Sequence, residues 1–292
     1  MSQVLVIGGG GFIGGHLVRR LFADGVAISA THRPGAAIES LAGVRWIPTD
    51  LTLLGDAIAW PTACDTVVYL AQSRLWRSFP QGADNVFLVN VAGVFRAVQY
   101  AVAAGARRFV YVSTGSVYHH GDRPADEGQP FFVPGERAFY AAAKLSAETL
   151  LGPFASLLPV VVLRLFVPYG SGQASDMLLP RLVDSIRRGD AITLDGHDGL
   201  TLSPTAIADV IEALLRSFKL ERSVTMNVAG PEVLSLREVS ETIGRVIGRR
   251  PVFEERQART VPVVAGTTAR LRETLGWAPT RTLDQGLQDW LR

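Results

Sequence analysis

The stretch that decides the fold is Val4-Leu5-Val6-Ile7-Gly8-Gly9-Gly10-Gly11-Phe12-Ile13-Gly14-Gly15-His16-Leu17-Val18, in which a short β-rich apolar run passes through glycines into a pattern of helical period. A strand that turns tightly into a helix gathers backbone N–H groups and the positive end of the helix dipole at one point. A pyrophosphate fits there. Two spacings coexist: Gly9-x-Gly11-x-x-Gly14 is the general dinucleotide fingerprint, and Gly8-x-x-Gly11-x-x-Gly14 is a variant of it. In this reading Gly8 serves the turn, Gly11 lets phosphate approach the backbone, Phe12 and Ile13 open the helix, and Gly14 lets helix pack on strand. Glycines mark any tight strand-to-helix turn, so position in the chain carries the argument.

Outward from that turn, short apolar runs alternate with longer stretches of helical period. The runs are Val4 to Ile7, Ala27 to Thr31, Val44 to Pro48, Thr66 to Leu70, Phe109 to Ser113 and Val160 to Leu165; the helices include Gly14 to Ala23, Asn90 to Ala104 and Ala138 to Leu151. Such alternation predicts βαβ units around a parallel sheet buried on both faces, an α/β, Rossmann-like doubly wound domain over residues 1–165. Beyond Phe166 the alternation is lost. Helical patterns at Leu178 to Arg188, Asp209 to Lys219, Leu236 to Ile247 and Leu283 to Leu291, with a strand-like Val224 to Ala229, predict a smaller, discontinuous lobe over 166–292. A segment near 205–228 is expected to return to the first domain.

Composition narrows the function classes. The chain has 292 residues, 48% hydrophobic and 19% charged, with 29 glycines and 16 prolines scattered along it, which suits a compact protein with a sizeable core. Its net charge of +2, with basic residues dispersed, leaves no electrostatic footprint for nucleic acid or an anionic membrane. Cys64, the single cysteine, excludes an intrachain disulfide and thiolate clusters, and reads as a small buried apolar residue. His119, His120 and His197 lack metal-ligand spacing with acidic partners, so no metal is expected. The start Met-Ser-Gln runs straight into a strand without a signal-like segment, and no apolar run approaches the roughly 18–20 residues of a membrane span. A cytoplasmic location is the expectation.

Cofactor selectivity is read at the end of the second strand, where an acidic side chain would accept from the ribose 2′-hydroxyl. The chain has Ala30-Thr31-His32-Arg33-Pro34 instead. Arg33, helped by His32, can pair with a 2′-phosphate, which predicts NADP(H) over NAD(H); the alternative is a solvated loop arginine. Further on, Tyr140-Ala141-Ala142-Ala143-Lys144 places a phenol and an ammonium four residues apart on one helix face. A free phenol has a pKa of about 10, and a nearby cation lowers it toward neutrality. Thr114 ends the run Val112-Ser113-Thr114, at the carboxyl edge where doubly wound sheets bind ligands.

With these features the chain resembles the extended short-chain dehydrogenase/reductase family, in its epimerase/dehydratase branch. The resemblance runs over nearly the whole length through Asp50-Leu51, Leu70-Ala71, Asn90, Arg164, Tyr169-Gly170, Asp209, Asn227-Val228-Ala229-Gly230 and Leu275-Gly276-Trp277. It implies that Tyr140 is the general acid/base, that Lys144 holds the nicotinamide ribose and tunes Tyr140, and that Thr114 bonds the reacting oxygen. It further implies that Asp50 and Leu51 border the adenine, that Leu70, Ala71 and Asn90 line the cofactor cleft, and that Arg74 lies near the cofactor phosphates. Gln72, Ser116 and Arg256 fall where the resemblance places substrate contacts, and two helices of the first domain fall where it places a homodimer interface.

Departures from the family narrow the expectation. Dehydratases acting at carbons 4 and 6 carry an acidic pair after the threonine, whereas this chain has Gly115-Ser116, which disfavours that reaction. An asparagine and an arginine that serve the nucleotide in many relatives align with Val167 and Leu202. The leading expectation is an NADPH-preferring reductase or epimerase of a keto-sugar, nucleotide-linked. One rival is a reductase of a non-nucleotide aldehyde, ketone or free sugar. The other is a non-catalytic NADPH-binding sensor on an inherited fold.

Overall fold

The computed structural model describes residues 3–53, 58–119, 121–131, 138–257 and 261–291, so His120 lies outside the described residues. The chain divides into two compact units. The first is Met1–Val117, Phe131–Arg164 and Leu214–Met226; the second is Tyr118–Pro130, Leu165–Ala213 and Asn227–Arg292.

The α/β expectation holds. Strands β1 (Gln3–Ile7), β2 (Ala27–His32), β3 (Val44–Pro48), β4 (Thr66–Tyr69), β5 (Arg108–Thr114) and β6 (Val160–Leu165) join the strand Val224–Val228 in one seven-stranded sheet. From one edge the order is Val224–Val228, β6, β5, β4, β1, β2, β3. Val4 pairs in parallel with Ile28 on one side and Thr66 on the other, so strand order reverses across β1 and β4. The carboxyl ends at that reversal form the crevice where doubly wound sheets bind ligands. Leu5, Val6, Ile7, Val67 and Val68 are wholly buried, which is why these strands read as unbroken apolar runs.

Helix α1 (Phe12–Ala23) buries Gly14, Leu17, Val18 and Leu21, the i, i+3, i+4, i+7 stripe of a helix laid on a sheet. The next helical stretch departs from expectation. It begins at Ala83 rather than Asn90: α2 (Ala83–Phe87) runs through a π-turn at Leu88–Ala92 into α3 (Gly93–Ala103). The π-turn has a visible cause. The Tyr69 hydroxyl donates to the Val89 carbonyl, and Gly93 leaves room for that ring, since a Cβ there would lie 2.4 Å from the Tyr69 oxygen. The expectation that nothing approaches a membrane span also needs correction. The 21 residues Ala83–Ala103 are long and apolar enough by length and composition, although half of the window is buried. Val94, Ala97, Val98 and Ala101 lie in the core beside β4 and β5, which accounts for much of that apolarity.

In the second unit α5 (Leu178–Arg188), α6 (Ile207–Ser217, its first residues), α7 (Leu236–Ile247), α8 (Ala269–Leu275) and α9 (Leu283–Leu291) accompany short strands. Leu182, Ile186, Val239, Ile243 and Leu287 form a core with Tyr169 and Leu202. Helix α7 starts with a capping box, Ser235 with Glu238, and ends at left-handed Gly248. The buried Asp209 carboxylate accepts from the backbone N–H groups of Thr280 and Arg281 at 3.1 and 2.9 Å and from the Arg281 guanidinium at 3.1 Å. Val167 alone among the described non-glycine residues takes a positive φ, +40°.

Candidate active site

The site builds from the carboxyl ends of β1, β2, β4 and β5. At β1 the glycine turn is clamped from two directions. Gly8 N–H donates to the Thr31 hydroxyl at 2.9 Å, Gly10 N–H donates to the Thr31 carbonyl at 3.1 Å, and Gly11 N–H closes the turn on the Gly8 carbonyl at 3.0 Å. Gly8 sits at φ +91°, and a Cβ on it would lie 2.6 Å from Ala71 N, so Leu70 and Ala71 bound the turn from β4. A Cβ on Gly14 would lie 2.2 Å from the Gly8 oxygen. Gly11 caps α1 with extended backbone and no side chain, leaving the amides of the first turn, Phe12 and Ile13 among them, to face an anion. These residues fit a dinucleotide pyrophosphate.

At the end of β2 the His32 ring is engaged edge-on by Trp46 at 6.0 Å, and its Nδ1 lies 2.9 Å from the Arg33 carbonyl oxygen. Arg33 and Arg74, both exposed, are close enough to repel. Partial burial and the Arg74 charge depress the Arg33 guanidinium below its ordinary value. Asp50 accepts from Thr52 N at 2.9 Å and from the Thr52 hydroxyl at 2.6 Å, and these bonds hold its carboxyl below the usual range. Leu51 is buried in the sheet's apolar core.

Past β4, Gln72 is half-buried and Ser73 ties the loop to the helical stretch beneath. Its N–H donates to the Asn90 side chain at 3.0 Å and its hydroxyl donates to Asn85 at 2.6 Å. The fully buried Asn90 keeps its amide nitrogen unpartnered. The same loop lays Trp76 against Tyr140, ring centroids 5.1 Å apart, and Phe79 against Phe139 at 5.4 Å. Arg77 covers the Trp76 ring at 4.3 Å.

Helix α4 (Ala138–Leu151) carries Tyr140 and Lys144, and β5 delivers Thr114, whose side chain reaches the neighbourhood of the Tyr140 phenol and draws it down. Thr114 also accepts from Ser116 N–H at 3.1 Å, in the turn Gly115–Val117. Packing changes the expected electrostatics. Burial pushes the Tyr140 phenol up to about 12, with Thr114 opposing, while Lys144 turns to β5 and donates to the Val112 carbonyl at 2.9 Å. Burial brings the Lys144 ammonium down to about 8, opposed by Glu148. Tyr140 is therefore a neutral phenol at pH 7.

Sequence reasoning missed Thr31, the acceptor that holds the glycine turn, and Glu148 and Ser113 around the tyrosine and lysine; it read Trp76 and Phe79 as a loop that covers substrate or packs on the core, and both rings pack on residues of α4. Of those missed, only Glu148, four residues after Lys144, carried a spacing signal. Arg256 ends the strand Val252–Arg256 of the second unit, exposed, 3.8 Å from Glu254. Cys64 is buried, and burial raises its thiol.

Comparison with known proteins gives a consistent pattern. Residues 4–229 match the family model "NAD dependent epimerase/dehydratase family". GDP-6-deoxy-D-mannose reductase of Pseudomonas aeruginosa is 28% identical, over 99% of this chain and 97% of the relative. The structure of MoeE5 in complex with UDP-glucuronic acid and NAD superposes with a TM-score of 0.84 at 28% identity, covering 99% and 98% of the two chains. TunA, an NAD-dependent NDP-hexosamine 5,6-dehydratase, shares the fold at a TM-score of 0.83 and 23% identity, covering 100% and 97%.

Proposed function

Because the chain belongs to the NAD-dependent epimerase/dehydratase family, we propose that it is a reductase or epimerase of a nucleotide-linked keto-sugar, with Tyr140 as the general acid/base. The observation that carries this reading is the convergence of Thr114, Tyr140 and Lys144 at the carboxyl end of β5. The glycine cradle, Asn90 and Lys144 would hold a nicotinamide dinucleotide, which supplies the hydride chemistry when bound. Tyr140, protonated at neutral pH, gives its proton to a carbonyl oxygen as that carbon is reduced. Thr114 orients the same oxygen. Lys144 stabilises the phenolate that remains.

The named relatives support a nucleotide-linked sugar: one is a GDP-sugar reductase and another is described with a UDP-sugar. Dehydration is the less favoured outcome because Gly115 and Ser116 supply no acidic pair, even though TunA shows that this fold hosts it. A product lighter than substrate by one water would reverse that ranking. MoeE5 is described with NAD. For this chain we place NADPH first because Arg33 and Arg74 repel each other where no acid accepts a ribose hydroxyl. The outer faces of α2, α3 and α4 expose Phe87, Phe95, Val102 and Leu150, which suits a homodimer through these helices.

Tyr140→Phe should lower NADPH-dependent reduction of GDP- and UDP-linked keto-sugars by about 100-fold or more while sparing cofactor binding. An unchanged rate refutes the mechanism. Fluorescence titration should show tighter binding of NADPH than of NADH, and Arg33→Ala should weaken NADPH alone by about 10-fold or more; equal binding by the wild type refutes the preference. A second reading, reduction of a non-nucleotide carbonyl, is favoured by Leu202, which is fully buried where relatives carry a nucleotide-binding arginine. Absence of binding to UDP, GDP and dTDP would select it.

A further inference from the structure

Tyr140, Lys144 and Glu148 follow one another at four-residue intervals and form one stripe along α4. The proposed proton transfer uses the first two and leaves the third unexplained. Glu148 is no solvated helix residue: its side chain is 7% exposed and that of its partner Arg164, on β6, is 6% exposed. Arg164 Nε donates to both carboxylate oxygens at 3.1 Å and Nη2 donates to Oε2 at 2.5 Å, while the Ser113 hydroxyl, on β5, donates to Oε1. The guanidinium is backed by the Phe131 ring at 4.9 Å. A buried forked pair braced by two strands and an aromatic face is expensive to build for stability alone.

We propose that Glu148, clamped by Arg164 and Ser113, is the positioning residue that acts through Lys144, keeping its ammonium charged one helical turn from Tyr140. Of the two buried cations, Arg164 is paired directly with the Glu148 carboxylate and Lys144 lies one helical turn from it on α4, and arginine does not release its proton in the working range. Without the Glu148 charge, Lys144 is the group that yields. Burial already brings it to about 8, and Glu148 is the interaction that holds it up. The other ionisable groups around Lys144 are Tyr140 on α4, Tyr111 on β5, whose ring lies 5.0 Å from the ammonium, and Tyr69 on β4. The π-turn against α4 contributes Asn90 but no ionisable side chain; α2 carries Asp84, and α3 carries Arg96 and Tyr100. Among these, Glu148 is the one carboxylate that shares the lysine's helix face.

This inference rests on the reading of Tyr140 and Lys144 as the proton-transfer pair, and its test does not require turnover. The sequence has 27 arginines and only two lysines, Lys144 and the exposed Lys219. In the full chain labelled with 13C-lysine, NMR titration follows Lys144 with Lys219 as internal reference. Glu148→Gln should lower the Lys144 midpoint by about one pH unit or more, the effect of losing a close opposite charge. Glu148→Asp, which keeps the charge on a shorter arm, should lower it less. A Lys144 midpoint at the wild-type pH in both variants overturns the proposal, and if Glu148→Gln does not fold, an unshifted Glu148→Asp overturns it alone. Should the titrations shift while no sugar nucleotide is reduced, the functional reading falls and the coupling stands.

Discussion

Replacing Gly14 by alanine puts a methyl carbon 2.2 Å from the Gly8 oxygen, 2.7 Å from Gly9 Cα and 2.9 Å from the Gly8 carbonyl carbon. A comfortable carbon–oxygen contact is about 3.3 Å, so helix and turn must part by about 1 Å. Nothing there yields cheaply, because the Gly8 carbonyl accepts the Gly11 N–H that shapes the turn. Overpacking of this kind costs about 1–3 kcal/mol, against a gain in helix propensity of about 1 kcal/mol. The clash involves backbone alone, so the upper half of that cost applies and the net is a loss of about 1–2 kcal/mol. For a chain of this size that corresponds to a Tm lower by about 2–8 °C. Gly15 is the internal control: its added Cβ meets nothing nearer than 3.9 Å, so Gly15→Ala keeps the propensity gain and should raise Tm by a few degrees. Two neighbouring, chemically identical substitutions therefore have opposite signs. Thermal unfolding measured beside NADPH fluorescence titration checks both, with Gly14→Ala also losing cofactor affinity. Equal Tm and equal affinity for the two variants would refute the close-packed turn.

Lys144 keeps its proton to about 10.5 in the unfolded chain but yields it near 8 when folded, so the unfolded state binds more protons between those values and stability rises with pH across them. Below pH 8 the full burial cost, about 3 kcal/mol, is present; Lys144→Met should abolish the rise, which denaturant titrations at pH 7 and 10 would reveal. Val167 carries a strain of about 1–2 kcal/mol at its positive φ, so Val167→Gly should be nearly neutral. Val162→Gly, in a buried strand, should cost about 3 kcal/mol, and equal costs in urea unfolding would dispose of the strain. Asp209→Asn should destabilise by about 2–4 kcal/mol, because its amide nitrogen faces backbone donors that have lost an acceptor; a wild-type midpoint would contradict this.

The sequence disclosed what short-range periodicity encodes. β1, the glycine turn and α1 are contiguous, so a period of two, a glycine cluster and a period of 3.6 are legible in one window. Tyr140 and Lys144 were visible for the same reason. Thr31 was not, because its bonds to Gly8 and Gly10 join residues that meet only when β2 pairs with β1. Glu148 had the right spacing, but a glutamate four residues after a lysine usually reads as a surface pair, and only β6 bringing Arg164 alongside makes it a buried one. The start of α2 was misplaced because the π-turn breaks the 3.6 period between Phe87 and Gly93. Packing of Trp76 on Tyr140 depends on a loop whose course Ser73 fixes by long-range bonds.

That π-turn makes the winding of the helix itself a functional variable. Winding Leu88–Ala92 into a regular α-helix with every residue kept is the outcome that helix propensity alone would favour. It would also rotate everything before Leu88 by about 90° around the helix axis, because an α-residue turns about 100° while the wider π-turn spends one residue more on nearly the same angle. Asn85 would swing away from the Ser73 hydroxyl, and the loop that presents Trp76 to Tyr140 would lose a mooring. The π-turn absorbs a surplus residue and so keeps the sheet-facing half of the helix in phase with the half that anchors the loop. A better helix would be a worse scaffold.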